Sequence, residues 1–270
     1  FDAAAISELL PPQPEWDGSS KANLASTSDP WITPAEANQL QTTPSYAETM
    51  EWIRRLDEAT DQINLELIGR SAQGRDITLV IVDRDGLSSP EAIQDSGRAI
   101  VLVHAGIHSG EIDGKDAGMM LLRDLTVGDR AQQLLENTSL LFIPILNVDG
   151  HERSSAFNRI NQRGPREMGW RTNARTLNLN RDYAKLETQG VRSLVSTINL
   201  WQPDLYIDVH VTDGADYQYD ITYGWNGPHA WSPNIADWLD DQFRPDVNRA
   251  LSAAGHVPGQ LGVCRCPGTR

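Results

Sequence analysis

The sequence predicts an α/β fold: a sandwich built on a mixed, mainly parallel sheet. Three observations lead there. The runs "RAIVLVHA" and "SLLFIPIL" are apolar without alternation, as expected of strands buried on both faces. Around them lie segments whose apolar residues recur at helical spacing. Strands that alternate with helices pack as a sheet covered by helices. No internal repeat and no second domain stands out.

The elements follow in order. Residues 1–44 read as an irregular N-terminal arm, because residues 10–45 are rich in Pro, Ser, Thr and Asn. Ser45 and Glu48 form a capping box, and Tyr46, Met50, Ile53 and Leu56 then share one helix face. "INLELIG" (63–69) and "DITLVIVD" (76–83), separated by the turn "SAQG", predict a β-hairpin. A helix is expected over 115–125, between the two buried strands. Residues 147–187 have little periodicity and many Asn, Arg and Gly, which marks a long functional loop. Val191, Leu194, Val195 and Ile198 predict a helix, "DLYIDVHV" (204–211) a strand, and "YQYDITYGW" another strand. The segment 232–255 reads as one or two helices interrupted at Pro245.

Composition narrows the function. With 39 % apolar residues in 270, the chain can bury a core. A net charge of −14 argues against nucleic acid or an anionic membrane surface as a partner. No apolar run is long enough to span a bilayer, and no signal peptide is visible. The first residue is Phe, so the chain is read as a processed or cut product. Cys264 and Cys266 are read as two free thiols, since a Cys-x-Cys pair closes a strained ring.

Three stretches stand at predicted strand ends, where α/β sheets bind ligands: "HAGIHSGE", "NVDGHERSS" and "DVHVTDG". His108 and Glu111 lie on one turn and can grip a metal at one edge. A catalytic zinc takes three protein ligands, and His210, at the end of "DLYIDVH", is placed to be the third. A lone histidine at a strand end is more often structural, and His104 is read so. His151 reads as a loop residue without a partner.

The stretches "LIGRSAQGRDI", "GIHSGEI", "NVDGHERS", "NLNRDY" and "DLYIDVHVTDG" resemble the zinc metallocarboxypeptidases, the carboxypeptidase A-like family. They occur in the family's order and cover residues ~45 to ~225. The resemblance implies a three-layer α/β/α sandwich with one Zn²⁺ per chain. His108, Glu111 and His210 match the zinc ligands, and Asn180 and Arg181 match the pair that holds the substrate's terminal carboxylate. A further family arginine polarises the scissile carbonyl. Arg163, 17 positions before Asn180, is the choice here, with Arg159 and Arg171 as rivals.

The sequence also departs from the family. Asn178 stands where many members have an Asp that supports a zinc-bound histidine, and Asp208 is a candidate for such support. The family's general base is a glutamate well beyond the third ligand. Here the last glutamate is Glu187, and seven aspartates but no glutamate follow His210. The expectation is a catalytic domain over 45–270 that is incomplete at its C-terminal end, with a relative that has lost catalysis as the alternative. Tyr217, Tyr219 and Tyr223 are candidates to line the cleft, with packing as the alternative reading.

The function implied is removal of C-terminal residues from peptides by zinc-activated water. An N-acyl amino acid deacylase or amidase is one alternative, and a non-catalytic carboxylate-binding protein is another. The expected partners are a peptide or N-acyl amino acid and no nucleic acid or membrane, with the chain a monomer. The resemblance favours a periplasmic or secreted location.

Overall fold

The structure, a computed structural model, describes residues 17–260 apart from 129, 163, 213, 216 and 227–229. Cys264, Cys266 and Arg163 lie outside the described residues. Contacts divide the described chain into two compact units. One runs over residues 25–212, and the other joins 17–24 with 214–260. The sequence reading had made no such division.

In the larger unit, α1 (Pro34–Ala37) and α2 (Tyr46–Asp57) precede the hairpin of β1 (Ile63–Arg70) and β2 (Asp76–Val82). Then come α3 (Pro90–Ser96), β3 (Ala99–His104), α4 (Asp113–Leu125) and β4 (Thr138–Ile143). The short α5 (Val148–His151) opens the long loop, and α6 (Gln189–Trp201) leads into β5 (Leu205–Asp208). The strands form one sheet in the order β1-β2-β4-β3-β5. Its β1–β2 and β2–β4 pairings are antiparallel, and its β4–β3 and β3–β5 pairings are parallel. The sheet is mixed, as expected, with the two kinds of pairing equal in number among the described residues.

Side chains alternate across a strand, so each face of the sheet carries its own core. Ile77, Leu79 and Ile81 of β2 join Leu141 and Ile143 of β4 on one face, closed by Ile93 of α3 and Val191, Leu194 and Trp201 of α6. Val80, Val82, Leu140 and Phe142 belong to the other, closed by Met50, Ile53 and Leu56 of α2 and Met119, Leu122 and Leu125 of α4. Helices on both faces make the three-layer sandwich. Each such side chain taken from water contributes about 1.5–3 kcal/mol.

Among its described residues, the stretch read as an irregular arm contains a short 3-10 helix, Ser19–Asn23, and one α-helical turn, α1. Thr33 and Glu36 form its capping box, a "TPAE" signal hidden in a Pro- and Thr-rich context. Glu36 is buried, and Arg123 of α4 donates from Nη1 to both its oxygens, at 3.0 and 2.7 Å. Burial alone would raise the Glu36 carboxyl, but Arg123 and backbone N–H groups outweigh it and hold the group below its ordinary value. Lys115 is also buried and donates from Nζ to Pro44 O at 2.7 Å. The end of the arm, from Glu36 to Pro44, is therefore fastened to α4.

The smaller unit pairs β6 (Ile221–Tyr223) in parallel with β7 (Pro258–Gln260). Its helix α7 (Pro233–Trp238) passes through one wider turn, Leu239–Phe243, into α8 (Arg244–Ala253). Pro245 was expected to interrupt this segment. It sits in the first turn of α8, where its missing N–H costs little, and the wide turn before it makes room for the ring. Tyr223 packs within this unit: its hydroxyl donates to Asn248 Oδ1 at 2.7 Å and its ring stacks on Trp225. Tyr217 and Tyr219 are exposed. Among the described residues no helix is long and apolar enough to cross a membrane.

Candidate metal centre

Parallel register aligns the carboxyl ends of the strands. His104, the last residue of β3, pairs with both Ile143 of β4 and Asp208 of β5. Backbone bonds then tie the segments that leave these ends. Leu146 N donates to Ala105 O and Asn147 N to Gly106 O, each at 3.0 Å, and Val209 N donates to His104 O at 3.0 Å. The chain after β3 turns back at once, with Glu111 N donating to His108 O at 2.9 Å. That turn puts His108 and Glu111 on one side, and the end of β5 brings His210 to them.

His108, Glu111 and His210 each offer one ligand atom, and these atoms all lie within 4.8 Å of one another. The His108 and His210 ring centroids are 5.0 Å apart. Glu111 lies between the rings: its Oε1 accepts from His108 Nδ1 at 3.1 Å and its Oε2 from His210 Nδ1 at 2.7 Å. Burial alone would raise the Glu111 carboxyl. Hydrogen bonds from His108, His210 and Arg159 outweigh it and hold the group well below its ordinary value. An ionised carboxylate and two imidazoles form a donor set that suits Zn²⁺.

The surrounding residues orient these three. Asn178 Oδ1 lies 3.2 Å from His108 Nε2, the contact expected for that position with an amide in place of a carboxylate. Asp208 Oδ2 accepts from His210 Nε2 at 2.9 Å, so the ring presents Nδ1 inward. His210 is pushed up to about 9: burial opposes its charge, but Asp208 and Glu111 outweigh burial. His104 is fully buried, with Nε2 2.6 Å from the Tyr206 hydroxyl and 3.2 Å from Asp208 Oδ1, and burial pushes it down to about 4. Its structural reading fits these contacts. His151, read as partnerless, has Nδ1 3.0 Å from Oε1 of the next residue, Glu152.

Of the arginines considered, two reach Glu111 Oε1: Arg159 from Nη2 at 2.9 Å and Arg171 from Nη1 at 3.4 Å. Asn180 and Arg181 lie on a short turn capped by Asn178. Asn180 Nδ2 is 3.4 Å from His210 Nε2, while Arg181 is exposed and its Nη1 donates to Asn180 O at 2.9 Å. Sequence reasoning missed Tyr206. Its place two residues before Asp208 on β5, hence on the same face, was the available signal.

A family model described as zinc carboxypeptidase matches residues 49–204, more than half of the chain. The chain belongs to the zinc carboxypeptidase family. Carboxypeptidase Z of Mus musculus is 30 % identical over 162 residues, covering 57 % of this chain and 23 % of its own length. Carboxypeptidase D of Rattus norvegicus is 25 % identical over 229 residues, covering 83 % of this chain and 15 % of its own. Among solved structures, a metallo-carboxypeptidase from Pseudomonas aeruginosa has a TM-score of 0.53 at 25 % identity, covering 74 % of this chain and 48 % of that one. The carboxypeptidase A from Helicoverpa armigera has a TM-score of 0.61 at 17 % identity, covering 82 % and 58 %. The chain thus spans less than a quarter of these two sequence relatives and about half of these two solved chains. The family match takes in His108, Glu111, Asn180 and Arg181 and stops before His210, which the fold brings to the pair.

Proposed function

We propose that this zinc carboxypeptidase-family chain is the metal- and carboxylate-binding part of a peptidase that removes C-terminal residues. The observation that carries the reading is the convergence of His108, Glu111 and His210, with Glu111 held as a carboxylate. These three residues would hold one zinc ion. Zinc in such a site acts as a Lewis acid and lowers the pKa of water. Asn180 and Arg181 would anchor the substrate's terminal carboxylate, since Arg181 is exposed and its planar fork suits a bidentate pair. Arg171, one-third exposed and beside Glu111, would be the arginine that stabilises the oxyanion among the described residues. Arg163, expected there, lies outside the described residues. Glu111, held as a carboxylate between His108 and His210, would serve as ligand and not as base.

The test combines metal content with substrate preference. Elemental analysis is expected to find one zinc per chain, lost in His108→Ala and Glu111→Ala. Cleavage, where measurable, should favour peptides with a free C-terminus over amidated ones, because amidation removes the group that Asn180 and Arg181 hold. A folded chain without zinc, or equal cleavage of amidated peptides, would reject the reading.

A further inference from the structure

The two arginines at Glu111 differ in burial. Arg159 is 4 % exposed, while its neighbour Ile160 is 91 % exposed. The loop leaves an isoleucine in water and sends a guanidinium inside, the reverse of what transfer energies favour. The turn between the ligands is shaped to admit this side chain. A Cβ added at Gly110 would lie 2.7 Å from Arg159 Cγ and 2.7 Å from Gly169 O. Arg159 Nη1 is buried with no hydrogen-bond partner among the described residues. A buried guanidinium with one arm unused costs the fold stability. The arginine's purpose therefore lies in the contact it does make, Nη2 to Glu111 Oε1.

We propose that Arg159 is a positioning residue of the metal centre, gripping Glu111 so that its carboxylate stays fixed between His108 and His210. This rests on the zinc-site reading above. It also sets two effects against each other. By charge alone, a guanidinium beside the carboxylate repels a divalent cation, so its removal would tighten metal binding. By orientation, its removal loosens a ligand and weakens metal binding.

The experiment measures zinc affinity by competition with a chromophoric chelator, on the full chain and on Arg159→Met, Arg159→Lys and Gly110→Ala. Arg159→Met is expected to bind zinc about ten- to hundredfold more weakly, the usual cost of losing a residue that orients a ligand. Arg159→Lys keeps the charge without the fork and should recover only part of that loss. Gly110→Ala crowds the stem of Arg159 and should also weaken binding. With cobalt(II) in place of zinc, the visible spectrum of Arg159→Met should differ from wild type, because the hold on Glu111 has changed. Equal or tighter zinc binding by Arg159→Met overturns the proposal and leaves the metal site standing. No zinc in the wild-type chain overturns both. If circular dichroism shows Arg159→Met unfolded, Arg159→Lys decides: affinity equal to wild type overturns the proposal.

Discussion

His210 stands between two carboxylates, Glu111 on one ring nitrogen and Asp208 on the other. Without metal, its proton is held up to about 9, against an ordinary value of 6.5. Zinc bound at the proposed site would displace that proton, so apparent zinc affinity should climb as pH rises from 6.5 towards 9 and then level off. The same shift has the opposite effect on the metal-free fold. A raised folded-state pKa stabilises fully below the unfolded value, and that contribution is lost as pH rises through the folded one. Isothermal titration across this range checks the first effect, and thermal melting of metal-free protein checks the second. At this scale the meeting of His108, Glu111 and His210 was legible, because His and Glu at strand ends are few and chemically distinctive. The residues behind them were less so. Counting back from Asn180 singled out Arg163, which lies outside the described residues, and a count along irregular backbone carries no depth for its rivals. Nothing in the string "NRI" tells that Arg159 is inside and Ile160 outside.

The elements of the sheet were legible where a local pattern marks them, and β3 and β4 stood out as unbroken apolar runs. Alternation in "INLELIG" and the turn "SAQG" marked the hairpin, helical spacing marked α2 and α6, and α4 was expected between the two buried strands. Where backbone is irregular the period vanishes, and long-range contacts decide instead. The arm shows this. Glu36 and Arg123 are 87 positions apart, and no local pattern announces that they meet in the interior. Their side chains are 2 % and 4 % exposed, so removing one partner leaves the other charge buried. Arg123→Met is expected to cost about 3–5 kcal/mol in urea unfolding. Pairing it with Glu36→Gln should cost less than Arg123→Met alone, since the stranded carboxylate is gone.

Across the whole molecule, burial is unevenly shared. Helices α7 and α8 contain no buried residue, and β6 and β7 are three residues each. Leu102 and Leu141, at the centre of the sheet, are fully buried. Hydrogen exchange should therefore be slowest at the amides of β3 and β4 and fastest in α7 and α8. Equal protection in the two units would contradict that gradient. The wide separation of the metal-site residues bears on how the protein is made. Synthesis delivers Glu111 to the tunnel exit 99 residues before His210. A growing chain would therefore carry two-thirds of the proposed zinc site for a long interval, and tight capture there would wait until β5 has joined β3. On that reading, a ribosome-attached chain stopped short of β5 should release zinc readily, so uptake would report the completion of the sheet.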